Sequence, residues 1–275
     1  MKTLSISKIL VPVDFSTRSA DAAEYAQVIA RHFGAEVILL NVLEPLAADF
    51  AMADPGAALM TDFIGERKSE RQAALDRMGA GGPSGVAVRR LIAQGEPAEQ
   101  ILESIGSEGV DLVVMPTQGH SRVRQFLIGS VTAKVLHDAV VPVLTGVHLE
   151  QVRDFPDFGL RKILCAVDLG NQSEVVATWA RNLAQEFNSH VTLLHVQQDS
   201  GDAQQRISSL LNSTGLKADV VVESGEPHKA VAAVAERLMS DMVVIGRGSS
   251  NSVMGRLRAQ AYSIVRQSPC PVLSV

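Results

Sequence analysis

The sequence is poor in the residue types that most often announce a chemistry. It has two cysteines in 275 residues, Cys165 and Cys270, and Cys165 sits inside an apolar run. Two lone thiols argue against a disulfide framework or a thiolate metal centre; they read as small buried hydrophobes in a reducing compartment. Basic residues form no block and the net charge is −5, so neither nucleic acid nor an anionic membrane is an expected partner. The apolar runs are strand-length, far short of a membrane span, and MKTLSISKIL lacks the apolar core of a leader, so the expected location is the cytoplasm. Also missing are a GxxxxGK phosphate loop and a GxSxG nucleophile elbow. The seven histidines are scattered, and none pairs with a histidine or cysteine at metal-ligand spacing. With no base, nucleophile or metal cluster to point to, strong catalysis is not expected; at most the chain hydrolyses ATP slowly.

What the sequence does have, it has twice. KILVPVDFS (Lys8–Ser16) returns as KILCAVDLGNQS (Lys162–Ser173), which aligns Asp14 with Asp168. VILLNV (Val37–Val42) returns at the same offset as VTLLHV (Val191–Val196). At a shorter offset GEP (Gly95–Pro97) returns at Gly225–Pro227, DLVVM (Asp111–Met115) as DMVVI (Asp241–Ile245), and PVL (Pro142–Leu144) at Pro271–Leu273. A period this long means duplicated domains, not a solenoid. The expected division is 1–149 and 161–275, with the polar stretch 150–160 as linker.

Within each unit, short β-branched runs alternate with helical stretches. In the first, Ile9–Val13, Val37–Val42, Val86–Ile92, Leu112–Met115 and Val141–Leu144 read as strands. Continuous apolar strands suit a parallel sheet covered on both faces. Ala22, Ala26, Ile29, Ala30 and Phe33 fall at helical spacing with Gly34 as a stop, Glu99–Ile105 is a second helix and Val131–His137 a third. The segment Thr61–Met78 reads as a further helix, in a stretch that is a packed element, a lid or a partner surface. The fold class is therefore α/β: two tandem doubly wound, Rossmann-like sandwiches, each on a five-stranded parallel sheet. Ligands of such folds bind where the first and fourth strands diverge at their carboxyl ends. Here those ends are Val13–Asp14 and Met115–Thr117, and Pro12 and Pro116 are counted with them as site residues.

The segment that follows, MPTQGHSRVRQFLIGSV (Met115–Val131), carries the nucleotide hypothesis. Gly119 lets the backbone approach a polyphosphate, or is a turn residue. Gly129, Ser130 and Val131 open a helix whose free N–H groups and dipole face an anion, with Ser130 adding a hydroxyl or serving as N-cap. Arg122 and Arg124 bring positive charge to that loop, and His120 is the histidine close to it. Asp14 is placed to accept from a ribose hydroxyl, or to cap the next helix.

These motifs resemble the universal stress protein family in its tandem form, over nearly the whole chain. Its ATP-binding members share glycine, two residues, glycine, nine residues, then glycine-serine or glycine-threonine. Pro116, Gly119, Gly129 and Ser130 stand at those positions, and only Pro116 departs, since a proline has no N–H and a fixed φ. The resemblance implies ATP, with or without Mg²⁺, in the first unit, the adenine edge against the backbone of Val42 and the ribose beside Asp14. In the second unit, IGRGSSNSVMGRLRAQA (Ile245–Ala261) puts Arg258 and Ala259 where glycine-serine belongs, so the expectation there is no triphosphate in the usual pose, or something smaller. The expected function is a non-catalytic, adenine-nucleotide-binding regulatory module. Its rivals are an interaction protein whose site is lost and an enzyme of the related adenine-nucleotide hydrolase group; VPVDFSTRS lacks the glycine-rich loop the latter requires. The last strands of the units are expected to pair as an intrachain pseudo-dimer, leaving two chains free to form a homodimer.

Overall fold

The computed structural model describes residues 4–45, 57–78, 85–118, 128–146, 159–197, 202–247 and 256–275. The first unit runs β1 (Lys8–Pro12), α1 (Thr17–Phe33), β2 (Glu36–Leu43), α2 (Ala57–Arg77), β3 (Ala87–Gln94), α3 (Pro97–Glu108), β4 (Leu112–Pro116), α4 (Ser130–Asp138) and β5 (Val143–Gly146). The second repeats the order: β6 (Lys162–Val167), α5 (Ser173–Phe187), β7 (His190–Gln197), α6 (Ala203–Thr214), β8 (Asp219–Ser224), α7 (Pro227–Leu238), β9 (Met242–Ile245), α8 (Arg256–Gln267) and β10 (Val272–Ser274). Most of the expected linker, and the loop holding Gly119, His120, Arg122 and Arg124, lie outside the described residues. Leu160, assigned to the linker, is instead buried in the core.

The repeated motifs have repeated jobs. Asp111 Oδ2 accepts from the amides of Ser7 (2.7 Å) and Lys8 (3.0 Å); Asp241 Oδ2 accepts from Arg161 (2.7 Å) and Lys162 (2.8 Å). Each aspartate thereby pins the start of its unit's first strand. In both GEP turns the glycine takes a positive φ (+147° at Gly95, +106° at Gly225), the glutamate is the N-cap and the proline is the first helical residue. Gly34 ends α1 at φ 66°, as its place in the sequence suggests.

The strands join one ten-stranded sheet in the order β3-β2-β1-β4-β5-β10-β9-β6-β7-β8. All neighbours are parallel except β5 and β10, which run antiparallel with Leu144 opposite Leu273. The two PVL strands thus pair, and the two five-stranded sheets become one. β5 starts two residues later than its apolar run, because Val141 and Pro142 serve as the approach to the strand. Side chains alternate between faces. Ile9 and Val11 enter a cluster that continues through Cys165 and Leu193 of the second unit, while Leu10 points to α3 and α4. Across the first face Phe33 meets Phe187 edge-on, ring centroids 5.8 Å apart, beside a His32–Glu186 contact of 3.0 Å. Across the second, the Arg247 guanidinium donates to the carbonyls of Ala139 (2.5 Å) and Val141 (3.1 Å), and the Tyr262 hydroxyl donates to Ala133 (2.9 Å).

The second unit is shorter between its second and third strands, yet keeps a helix there: α6 has 12 residues against 21 in α2. No helix among the described residues is long and apolar enough to cross a membrane.

Candidate functional site

β1, β2 and β4 are adjacent, so their carboxyl ends form one crevice edge in the first unit. Val13, just past β1, donates its N–H to Leu40 O at 2.8 Å, and its carbonyl accepts from Asn41 Nδ2 at 2.7 Å. Backbone groups of alternate β2 residues face β1, as Glu36 does in donating to Ser7 O (2.8 Å). By that alternation the N–H and C=O of Val42 face the gap beyond the end of β1, whereas Leu43 turns to Gly95. Asp14 folds back on the next turn: Oδ1 accepts from the Ser16 amide (3.0 Å) and hydroxyl (2.6 Å). The N-cap of α1 is Ser16, not Asp14. Between them Phe15 holds φ 66°, and Leu169 holds φ 59° at the matching place of the second unit. A bulky residue in that region costs roughly 1–2 kcal/mol, so both turns beside the crevices are strained alike.

On the other side, Met115 is buried with Leu10, Ile38 and Val113 and forms an apolar floor. Pro116 ends β4, a position where a ladder does without its N–H, and its carbonyl accepts from Thr132 Oγ1 at 3.1 Å. Side-chain alternation puts its ring on the α1 side, opposite Met115. The Gly129 amide donates to Thr117 O at 2.9 Å, tying the start of α4 to the end of β4. Gly129, not Ser130, is the N-cap, with φ −63° and ψ 150° and no side chain to cap with. Ser130 is the first helical residue and exposed, and Val131 packs partly on the core. A Cβ on Gly129 would meet its nearest atoms at 3.7–4.0 Å, ordinary contact. Neither backbone angle nor crowding requires a glycine there. Arg18 and Gln118, which sequence reasoning passed over, bridge α1 to the end of β4 at 3.2 Å. Asn41 was also missed, because only the register shows that it reaches across to β1.

The second unit differs in kind. Gly246 stands where the first unit has Pro116, and a Cβ there would come within 3.1 Å of Gln172 Oε1 and 3.2 Å of Val176 Cγ2. A side chain there would be tight, and Gln172 and Val176 would have to give by a few tenths of an ångström. α8 starts at Arg256, three residues ahead of Ala259, the partner of Ser130. The free amides of a helix start are thus carried about one turn, roughly 5 Å, along the axis. The carboxyl ends of β6, β7 and β9 border a cavity of about 450 Å³, lined among others by Asp168, His195, Val196 and Gln260. His195 repeats the part of Asn41: its Nδ1 bonds Val167 O at 3.0 Å.

Chemically the described residues are quiet. Burial pushes the Cys165 thiol up to about 12 and that of Cys270 to about 11, so neither is a ready nucleophile. Among them, no three histidine, cysteine or carboxylate side chains converge as metal ligands.

A model of the universal stress protein family matches residues 5–145, 159–214 and 199–275. A universal stress protein of Methanocaldococcus jannaschii is 31% identical over 137 residues, covering 50% of this chain and 79% of that protein. One from Thermus aquaticus is 32% identical over 139 residues, 50% of this chain and 95% of that protein. The crystal structure of a universal stress protein from Archaeoglobus fulgidus shares the fold over 98% of this chain and 96% of its own, with TM-score 0.73 and 23% identity. Curated relatives that match half the chain, a solved structure that matches nearly all of it, and two copies of one strand order converge on one assignment: this chain belongs to the universal stress protein family.

Proposed function

We propose that the first unit is an adenine-nucleotide site and that the chain works as a non-catalytic regulatory module. In this reading ATP, with or without Mg²⁺, lies over the ends of β1 and β4. The adenine edge meets the N–H and C=O of Val42, Pro12 and Val13 border the base, and Asp14 accepts from the ribose. The phosphates rest on the amides of Ser130 and Val131, with Met115 beneath and Gly119, His120 and Arg122 from the adjoining loop. Arg18 adds a cation from α1.

The observation that carries this is Gly129. A helix N-cap in extended geometry accepts serine, asparagine or aspartate with profit to the fold. Glycine there is worth keeping when something must lie against the bare backbone, and an anion at a helix start is the natural candidate. Pro116 weighs less against the site than its chemistry suggests, since its ring belongs to the α1 side. In this reading nucleotide occupancy acts by biasing loop order and hence partner choice. The units 1–149 and 161–275 would then be a binding unit and a diverged unit, the chain assembling further as a homodimer.

The second reading, an interaction protein without nucleotide, rests on Pro116. The two separate cleanly. The chain has one tryptophan and two tyrosines, so co-purified nucleotide dominates its ultraviolet spectrum and is identified after denaturation by chromatography. If none is released, and MgATP leaves the melting temperature unmoved, the second reading stands.

A further inference from the structure

Two buried hydroxyls sit at matching places on the central seam. Thr145 of β5 and Ser274 of β10 correspond through the PVL repeat, and each is fully buried. Neither Thr145 Oγ1 nor Ser274 Oγ has a hydrogen-bond partner. A buried hydroxyl left unpaired destabilises the fold, so each such atom asks for an occupant beside it. Ser274 borders a cavity of about 20 Å³ between α4 and α8, walled also by Leu136, His137, Arg247 and Tyr262. A space of that size takes one small occupant, a water or a monatomic anion of similar bulk, and is too small for a phosphate.

The choice between water and anion turns on Arg247. Its amide donates to Val275 O at 3.2 Å, which sets the residue beside the end of β10. Its side chain crosses to the first unit and donates to the Ala139 and Val141 carbonyls. A guanidinium has five N–H groups, so about three are left over. No described carboxylate pairs with it; Asp138, at the end of α4, is held by the His137 ring. Burial pulls the guanidinium below its ordinary pKa, with no neighbouring charge to offset the loss of water. A charge taken out of water is ordinarily paired. The carbonyls nearby already accept, Ala139 and Val141 from Arg247 and Ala133 from the Tyr262 hydroxyl. A water has two hydrogens to place on acceptors, whereas a halide needs donors alone, and a cation with an unpaired hydroxyl supplies them. The DLVVM and DMVVI repeats put Thr117 in the first unit where the second has Arg247, so this cation belongs to one side of the seam.

We propose that the seam between the units binds one monatomic anion, chloride in solution, held by the Arg247 guanidinium and the Ser274 hydroxyl. The ion joins α8 and β10 of the second unit to α4 of the first, and it neutralises the charge that Arg247 carries across. The site is independent of nucleotide binding by either unit.

The test compares the full chain in sodium chloride and in sodium gluconate, whose anion is too large for the cavity, at one ionic strength. The melting temperature is expected to rise saturably with chloride, by about 2–4 °C. Ser274→Ala is the decisive variant, since it removes a hydroxyl that the fold itself leaves unpaired. It is expected to melt no lower than the parent in gluconate and to lose at least about half of the chloride gain. Arg247→Met is expected to lose all of it. Crystals grown in bromide should show an anomalous peak within hydrogen-bond reach of Arg247 and Ser274 Oγ. A water at that place, which gives no anomalous signal, overturns the proposal. So do equal melting temperatures in the two salts, or a chloride gain that both variants keep in full.

Discussion

Replacing Gly129 by aspartate sets fold and ligand against each other. The position has N-cap angles, and a Cβ there touches nothing closer than 3.7 Å, so the side chain enters without strain. An aspartate cap gains a few tenths of a kcal/mol over glycine, and its charge at the helix start adds about 0.3–1 kcal/mol. For a chain of this size the melting temperature should rise by about 1–4 °C. A bound phosphate would feel the opposite. At an effective dielectric constant near 20, like charges about 5 Å apart repel by about 3 kcal/mol, which is about two decades in Kd. Thermal melts with and without MgATP, and calorimetry at fixed ionic strength, read both quantities. Gly129→Asn separates bulk from charge, since it caps equally well and carries none. The reasoning fails if Gly129→Asp binds MgATP as tightly as the parent chain. It fails equally if the variant melts well below the parent, for then the fold itself needs the glycine.

Three further outcomes follow from contacts away from the crevices. Arg247→Met leaves the Ala139 and Val141 carbonyls without their charged donor and should cost about 2–4 kcal/mol in urea unfolding; Arg247→Lys, lacking the fork, should restore only part of it. The guanidinium of Arg89 holds the Glu108 carboxyl below its ordinary 4.5 through their hydrogen bond. A lowered value stabilises the fold above that pH and stops doing so as the pH falls through it. The urea midpoints of the parent and Arg89→Met should therefore differ at neutral pH and converge in acid, by less than about 1 kcal/mol because the pair is partly exposed. Cys165 and Cys270, buried and raised by burial, should resist alkylation in the native chain and both react once it is unfolded; rapid native labelling would contradict the packing described.

Much of this architecture was legible because it rests on short-range patterns written twice. KILVPVDFS and KILCAVDLGNQS gave matched strands and turns, the GEP triplets gave positive-φ glycines followed by capped helices, and the PVL runs gave the strands that meet at the centre. What escaped depends on register or on neighbouring backbone angles. Ser130 looked like the cap by residue type, but the cap is whichever residue is extended before the first helical one, and that is Gly129. Asp14 lost the cap of α1 to Ser16 in the same way. Asn41 and His195 gave no signal in a strand pattern, since their bonds reach sideways to Val13 and Val167. The cavity of the second unit was invisible because the motif that marks the first unit's crevice is broken there. A broken motif is silent about the space left behind.

The single antiparallel seam between β5 and β10 has a consequence for how the chain can be read from outside. Strands on one side of it end where strands on the other begin, so the two crevices open at opposite poles of the sheet. An occupant at one pole is out of reach of an occupant at the other. A protein docking over one mouth would leave the other open to solvent, so the two ends of the sheet can be approached without competing.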